Sequence, residues 1–274
     1  MFDLKAFLDL VDPSQNIIVA FSGGGDSSAL LHFCHELKLA EHLHASLSAI
    51  HVNHSLNKNS NLWEDHCRKF CNDRNIPFQS YVVNINAKKS GLESAARNAR
   101  YSIFKKALQK NDQLLMAHHA DDVAETVLYR LFRGTGIDGL QGPAKKRALG
   151  KGMILRPWLG YTKAELSEYL LDHNINFVHD DTNLEDNQDR NFIRNEVLKI
   201  TFNRWPNASK QIQKTADLVF RHKHAHDFLI ETQFGANIKG AKLQRKFLLD
   251  LDEETCSEVI RFWIKANNFA MPNK

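Results

Sequence analysis

The sequence of 274 residues has few cysteines, no long apolar run and no basic N-terminal segment. Its four cysteines, Cys34, Cys67, Cys71 and Cys256, include no CxxC pair, so a zinc or iron–sulfur site has little support. No apolar run approaches the ~20 residues that are needed to span a bilayer. Residues 1–13 lack the positively charged start of a signal peptide. We therefore expect a cytoplasmic protein that has no membrane partner.

The net charge of +4 is too small to indicate a nucleic-acid partner, but the basic residues are clustered. Residues 190–223 hold eight Lys and Arg against two acids, and residues 145–156 hold five with no acid. Such clusters can contact a phosphate backbone. The alternative is that they form a solvated helix face and a solvated loop.

Short apolar runs alternate with segments of helical periodicity along most of the chain, which predicts a Rossmann-like α/β fold. A parallel sheet covered by helices on both faces follows from this alternation. Ligands of such sheets bind at the carboxyl ends of the strands. We predict a catalytic domain at 1–205 and a mainly helical second domain at 206–274. The predicted strands are 16–21, 45–52, 78–83, 113–117 and 153–156, and residues 134–152 are predicted to form a glycine-rich loop.

A phosphate-binding loop is predicted at residues 22–28 (SGGGDSS), between the first strand and a helix. Glycines allow a tight turn that aims backbone N–H groups at an anion, and the helix N-terminus adds positive potential. The carboxylate of Asp26 would repel phosphate groups unless a Mg²⁺ ion bridges the carboxylate and the phosphates. The alternative is that these residues form only a tight turn between strand and helix, in which Asp26 caps the helix. The predicted ATP-binding residues of the loop are Ser22, Gly23, Gly24, Gly25, Asp26, Ser27 and Ser28.

This loop lacks the lysine of GxxxxGK[ST] and instead resembles the PP-loop of N-type ATP pyrophosphatases. Those enzymes split ATP to AMP and pyrophosphate while they adenylate a carbonyl-like oxygen. Further segments make residues 15–205 similar to the tRNA(Ile)-lysidine synthetase family. They are HVNH at 51–54, ARNARY at 96–101, AHHADD at 117–122, DDTN at 180–183 and DRNFIR at 189–194.

The resemblance implies a ligase that adenylates the wobble cytidine of CAU-anticodon tRNA(Ile) and then joins free L-lysine to it. ATP and Mg²⁺ would be the cofactors. Family members commonly continue through further tRNA-binding elements, so the tRNA-contacting domain at 206–274 is either a naturally short form or an incomplete form of that region. The sequence leaves the oligomeric state open, a homodimer being one option.

Acidic residues follow the fourth predicted strand, and Asp122 and Glu125 share a helix face. Lysine is cationic near neutral pH, so its amine needs a proton acceptor before it can attack. We assign Asp122 to the base or positioning role. We also predict that Asp26 and Asp122 hold the metal ion. His118, Asp121 and Glu125 are predicted to contact lysine or tRNA. Helix N-capping is the alternative for the acidic pair, and whether His118 or His119 faces the ligand stays open.

Four arginines are candidates for nucleotide or phosphate contacts because the guanidinium group matches phosphate geometry. His51 and Arg97 are assigned to ATP, and Arg100 is a second candidate in the same helix. Arg190 and Arg194 lie four residues apart, and the resemblance places them near the reacting nucleotide. Arg194 is predicted to stabilise charge that develops during the reaction.

Three other functions are compatible with parts of this pattern. Another PP-loop tRNA-modifying enzyme, such as a thiolase, would use the same loop, but sulfur chemistry usually requires paired cysteines. A nucleotide-binding module without chemistry would not need clustered carboxylates and arginines at neighbouring strand ends. A structural tRNA-binding protein would not need the phosphate loop.

Overall fold

The computed structural model describes residues 2–55, 57–83, 92–178, 189–238, 240 and 242–269. The strands are β1 Ile17–Ala20, β2 Leu47–Asn53, β3 Phe78–Val82, β4 Gln113–Leu115, β5 Lys146–Leu149 and β6 Gly152–Leu155. The helices are α1 Leu4–Leu10, α2 Gly25–Leu39, α3 Ser60–Asn72, α4 Leu92–Ala107, α5 Ala120–Phe132, α6 Ile137–Leu140, α7 Lys163–Asp172, α8 Asp189–Phe192, α9 Leu198–Arg204, α10 Ala208–Phe234, α11 Arg245–Leu249 and α12 Glu253–Ala266. A π-helical turn, Ile193–Val197, joins α8 to α9.

The described strands form a mixed sheet in the order β3-β2-β1-β4-β6-β5. All neighbours pair in parallel except β5 and β6, which are antiparallel. The chain moves outward from β1 to β3 and then returns to place β4 on the other side of β1. The loops after β1 and β4 therefore diverge, and this topological switch point is where ligands of open α/β sheets bind.

Alternation along β1 explains how the sheet acquires two apolar faces. Ile17 and Val19 are buried in a core shared with α1, α2, α3 and α7, whereas Ile18 and Ala20 pack into a second core beneath α4. Successive side chains of a strand point to opposite faces, so a short apolar run suits a strand that is covered on both sides. The predicted α/β architecture is confirmed.

The glycine-rich loop that we predicted at 134–152 contains two short elements. Helix α6 lies within it, and strand β5 pairs with β6 through a turn in which Gly150 has a φ of +59°. Most of β5 is exposed, and its sequence KRAL lacks the β-branched residues that mark a strand. Charged residues are typical of edge strands because they discourage pairing with other chains. The N-terminal helix α1 was also not predicted.

Helix α10 contacts two different parts of the protein. Near its start, Ala216 packs against Val123 of α5, whereas Ile230 near its end joins Ile238 and Val259 in a separate small core. The domain boundary at residue 205 stays a prediction, and this second core is where we place the C-terminal domain. Among the residues that the structure describes, no helix is both long and apolar enough to cross a membrane.

Candidate active site

A cleft of about 320 Å³ opens at the switch point between β1 and β4. The loop after β1 contributes its polar edge, α5 contributes Asp122, and β2 and α4 contribute most of its apolar wall. Residues from three neighbouring strand ends thus converge, as the sequence predicted. The lining residues are Ala20, Phe21, Ser22, Gly24, Asp26, Ser27, Ile50, Val52, His54, Arg100, Phe104, Met116, Ala117, His118 and Asp122.

The loop at residues 22–28 has a geometry suited to an anion. Gly23 has a φ of +85°, and a Cβ there would lie 2.9 Å from the Cys67 sulfur, so both backbone conformation and space require glycine. The backbone N–H of Val178 donates to the Gly23 carbonyl oxygen at 2.8 Å and holds the turn from outside. No described side chain caps the N-terminus of α2, which begins at Gly25. Its first N–H groups are therefore available to phosphate oxygens.

The serines of the loop divide into two groups. Ser22 and Ser27 line the cleft, with their hydroxyl oxygens 3.0 Å apart, and the Ser27 hydroxyl also donates to the Gly24 carbonyl. Ser28 is fully buried, and its hydroxyl donates to the Gly23 carbonyl at 3.3 Å. Contrary to expectation, Ser28 therefore stabilises the loop from beneath and does not line the cleft. The direction of each side chain around the first helical turn decides this difference.

The apolar side of the cleft is formed by Ile50 and Val52 of β2, Phe104 of α4 and Met116 after β4. Such a wall suits a nucleobase, because ligand pockets are mostly apolar with a few polar groups that fix orientation. Sequence reasoning did not assign these four residues, although the alternation along β2 could have identified Ile50 and Val52 as facing one side of the sheet.

The two ATP-binding assignments outside the loop lie away from the cleft lining. His51 is buried, with its Nδ1 2.8 Å from the Phe21 carbonyl oxygen, and burial lowers its pKa. Arg97 is exposed and lies over the Tyr101 ring. The neighbours His54 and Arg100 line the cleft instead. Within each motif the fold therefore turns a residue other than the predicted one towards the cleft.

His118 and His119 have opposite environments. His118 lines the cleft, and its Nδ1 accepts a hydrogen bond from Nε of Arg156 at 3.1 Å. Burial lowers the pKa of His118 to about 4, so this imidazole is neutral near pH 7. Arg156 is itself buried and also donates to the Ala144 carbonyl at 2.7 Å. Arg156 thus orients His118, and it is not part of an exposed basic cluster.

His119 is buried among three carboxylates. Its Nε2 lies 3.5 Å from Asp26 and 3.6 Å from Asp122, and its Nδ1 lies 3.4 Å from Asp121. Desolvation alone would lower its pKa, but the neighbouring carboxylates of Asp121, Asp26 and Asp122 raise it to about 10. The imidazolium therefore connects the phosphate loop to the first turn of α5.

Asp121 connects three helices. One carboxylate oxygen accepts the backbone N–H of Lys163 at the start of α7, and the other accepts the hydroxyl of Ser209 near the start of α10, both at 2.6 Å. The pKa of Asp121 falls to about 2, since these bonds and His119 outweigh the cost of burial. This carboxylate joins the starts of α7 and α10 to α5. It does not line the cleft, contrary to our assignment of a substrate contact.

Asp122, Glu125 and Arg194 form a second charged group at the cleft. Asp122 accepts the backbone N–H of His119 at 3.0 Å, which caps α5, and its other oxygen lies 3.9 Å from Arg194. Nε and Nη2 of Arg194 donate to one oxygen of Glu125 at 3.0 and 2.6 Å. Burial raises the pKa of Glu125, and the cation opposes that shift. Of these three residues only Asp122 lines the cleft, whereas Glu125, which we predicted to contact substrate, is buried against Arg194.

The remaining predicted residues lie at the edge of this site. The guanidinium of Arg190 lies 5.3 Å from the centre of the Tyr129 ring on α5. The DDTN motif at 180–183 lies outside the described residues. Within the described ranges, no group of three or more His, Cys, Asp or Glu side chains is spaced to hold a metal. Asp26 and Asp122 supply two cleft carboxylates, which fits Mg²⁺ because that ion is held by one or two carboxylates together with substrate phosphates.

The segment at 190–223 exposes fewer unpaired basic side chains than its sequence suggests. Lys210 is paired with Glu165 at 2.8 Å, and Lys223 is buried against Asp227 at 2.7 Å. From the other predicted cluster, Lys145 pairs with Asp217 at 3.0 Å. The exposed basic residues that remain between α9 and the middle of α10 are Lys199, Arg204, Lys214 and Arg221.

Comparisons with known proteins agree with this arrangement. The model of the PP-loop domain family matches residues 3–201. The tRNA(Ile)-lysidine synthase of Coxiella burnetii is 40% identical over 270 residues, which are 98% of this chain and 60% of that protein. The enzyme of the same name from Photorhabdus laumondii is 35% identical over 95% of this chain and 59% of that protein. The chain thus spans about three fifths of the length of these curated relatives.

Among solved structures, the U34-tRNA thiolase NcsA from Methanococcus maripaludis, with its [4Fe-4S] cluster, matches with a TM-score of 0.64 and 15% identity. The match covers 80% of this chain and 78% of that one. At this identity the likeness shows the fold alone.

Proposed function

Because this chain belongs to the PP-loop domain family, we propose that it uses ATP to activate the wobble cytidine of a CAU-anticodon isoleucine tRNA for attack by free lysine. The PP-loop domain is an ATP-binding domain. The observation that carries the proposal is the cleft itself, in which the phosphate loop faces Asp122 at the start of α5. The high identity to tRNA(Ile)-lysidine synthases supports the choice of tRNA and lysine.

ATP would place its phosphates at the N-terminus of α2, where Ser22 and Ser27 offer hydroxyl groups. Its base would lie against Ile50, Val52 and Phe104. Asp26 and Asp122 would hold Mg²⁺, which supplies positive charge to neutralise the phosphate oxygens. His119 would keep these two carboxylates at a fixed separation, since its Nε2 lies within 3.6 Å of both.

The proposed reaction has two steps. The O2 oxygen of cytidine attacks the α-phosphorus of ATP, a P–O bond breaks, and pyrophosphate leaves. An amine of lysine then attacks C2, the C2–O2 bond breaks, and AMP leaves with that oxygen. The ammonium form of lysine must first lose a proton. We assign Asp122 as the acceptor, because its carboxylate lines the cleft and is held by the His119 N–H.

Arg194 would stabilise negative charge that develops as AMP departs. Its guanidinium is held by Glu125, so Glu125 acts as a positioning residue through Arg194. The flat guanidinium group retains N–H donors that do not face Glu125, and its side chain is 41% exposed. Arg190 lies beside Tyr129 at the outer edge and would contact the tRNA.

The thiolase alternative is disfavoured by the environment of the cysteines. Cys34, Cys67 and Cys71 are buried, and burial raises the pKa of all three thiols, that of Cys71 to about 12. Persulfide or cluster chemistry requires accessible thiolates. None of these three cysteines lines the cleft.

The test is incorporation of radiolabelled lysine into an unmodified CAU-anticodon isoleucine tRNA transcript, with AMP and pyrophosphate measured in parallel. Low salt favours tRNA binding by a chain with few phosphate contacts. Wild type should incorporate lysine, Asp122→Asn should lose incorporation, and the exposed control Asp9→Asn should behave as wild type. Incorporation by Asp122→Asn at a rate close to that of wild type would remove Asp122 from the mechanism. ATP turnover with another tRNA and without lysine would favour a different PP-loop reaction.

A further inference from the structure

An apolar pocket of about 510 Å³ lies outside the active site, where α9 meets α10. The chain must leave the helix here, because the residue before a proline is disfavoured in the α conformation. Trp205 accordingly has φ −130° and ψ 83° and ends α9 in front of Pro206. The turn presents the indole ring outward, and 63% of Trp205 is exposed. The pocket is lined by Thr201, Arg204, Trp205, Pro206, Asn207, Ala208, Gln211 and Ile212.

We propose that this pocket binds an unpaired nucleobase of the tRNA, stacked on Trp205, a short distance along the strand from the reacting cytidine. The inference rests on the proposed function, since it extends the binding of that same tRNA. Base stacking on an exposed aromatic ring is the usual way in which proteins hold single-stranded RNA.

The polar groups around the indole ring suit a base and its phosphate. Asn207 and Gln211 are exposed amides, which can both donate to and accept from the edge of a base. Arg204 is exposed at the rim, and Lys214 lies one helical turn beyond Gln211 on the same face of α10. The acidic residue Glu196 lies about two turns before Arg204 along the helical run. The exposed side chains of Arg204 and Lys214 favour an anionic partner such as RNA over a basic or purely apolar one.

The pocket is held firmly to the active site. Ser209, next to Ala208 of the pocket, donates to Asp121, and Asp121 contacts His119. Ile212 packs against the core formed by Ala124, Ile193 and Leu198. A preorganised surface binds with less loss of entropy than a mobile one.

The distance between the two sites matches a short stretch of RNA. Residues 189–204 form one helical run that carries Arg194, which lies 3.9 Å from the cleft residue Asp122, and Arg204, which lines the pocket. Ten residues at about 1.5 Å each separate these arginines by roughly 15 Å. A stacked strand advances about 3.4 Å per nucleotide, so the bound base would be about four or five nucleotides from the reacting one.

The experiment measures direct binding of an RNA hairpin with the anticodon arm of the CAU isoleucine tRNA, by fluorescence and by filter retention. The four proteins compared are wild type, Trp205→Ala, Trp205→Phe and Phe228→Ala. Phe228 is a matched control, because it is an aromatic residue that is 64% exposed but lies on α10 outside the pocket. Thermal melting and ATP binding of each variant check that the fold is intact.

We expect the hairpin to quench the tryptophan fluorescence of wild type more than that of Trp205→Phe, which retains the other three tryptophans, and a fully paired RNA duplex to leave both unchanged. Trp205→Ala should raise the Kd for the hairpin tenfold or more, which is the usual effect of removing a stacked aromatic ring. Trp205→Phe should stay within about threefold of wild type, since it retains a ring. Phe228→Ala should bind as wild type does.

Equal affinities of Trp205→Ala and Phe228→Ala for the hairpin would overturn the inference. A change in Trp205 fluorescence with protein concentration alone would also overturn it, because the occupant would then be a second copy of this chain. Lysine incorporation by wild type is scored separately. Normal incorporation without any dependence of binding on Trp205 refutes this inference alone, whereas Trp205-dependent binding without incorporation refutes the proposed reaction alone.

Discussion

Replacing Arg194 with alanine should destabilise the protein because it leaves the buried carboxylate of Glu125 without its cation. Glu125 is only 7% exposed, and both described nitrogen contacts from Arg194 reach one of its oxygens. Breaking a buried ion pair costs about 3–5 kcal/mol when one charge remains. Arg194 is 41% exposed, so solvent already screens the pair, and we expect a loss of about 2 kcal/mol near neutral pH.

The pH dependence of Arg194→Ala identifies the cause of the loss. Burial already raises the pKa of Glu125, and removal of the cation should raise it further. A raised folded-state pKa means that the folded protein binds the proton more tightly than the unfolded chain does. The variant should therefore regain stability as the pH falls from about 7 towards the ordinary pKa of glutamate, about 4.3.

Urea unfolding followed by circular dichroism measures this effect, with equal m-values as the check that the transitions are comparable. Glu125→Gln combined with Arg194→Ala should recover about half of the loss or more, because the amide needs no counter-charge. Arg221→Ala, at an exposed arginine of α10, is the control and should change the free energy of unfolding by less than about 0.5 kcal/mol. A double variant as unstable as Arg194→Ala, with no pH dependence, would refute the reasoning.

Three further predictions concern the loop, the helix junction and acid stability. Gly23→Ala should sharply weaken ATP binding in calorimetry, because it combines a φ of +85° with a Cβ 2.9 Å from the Cys67 sulfur. Gly160→Ala is the control and should bind ATP normally, because Gly160 lies outside the cleft and no atom lies within 4 Å of its added Cβ. Asp121→Asn should lose about 2 kcal/mol of stability in urea unfolding with little change in the KM for lysine, and a large KM change at normal stability would restore its predicted substrate role. Burial lowers the pKa of His32 from 6.5 to about 4, so the protein should lose stability as the pH falls through this range. In thermal melting experiments, His32→Gln should lose less stability over the same pH range than wild type does.

The position of the candidate cleft could be predicted from the sequence because its signals are local. A short β-branched run, a glycine turn and a helix lie within about twenty residues of each other at 16–37. Parallel strands bring their carboxyl ends to one edge of the sheet, so the motifs after β1 and β4 had to meet. The three carboxylates near His119 come from these two motifs. The predicted role of Asp26 in holding ATP and metal and the predicted catalytic roles of Asp122 and Arg194 stay predictions.

The tertiary structure alone decided which side chain of each motif faces the cleft. Asp121 and Asp122 are adjacent in the sequence, yet one binds Lys163 and Ser209 from distant helices while the other lines the cleft. The same applies to His54, which lines the cleft where we had expected His51. A partner that lies 42 or 88 residues away leaves no trace in local spacing, because its position depends on how complete helices pack. Local pattern therefore determined the loop and the sheet, and long-range packing assigned the individual residues.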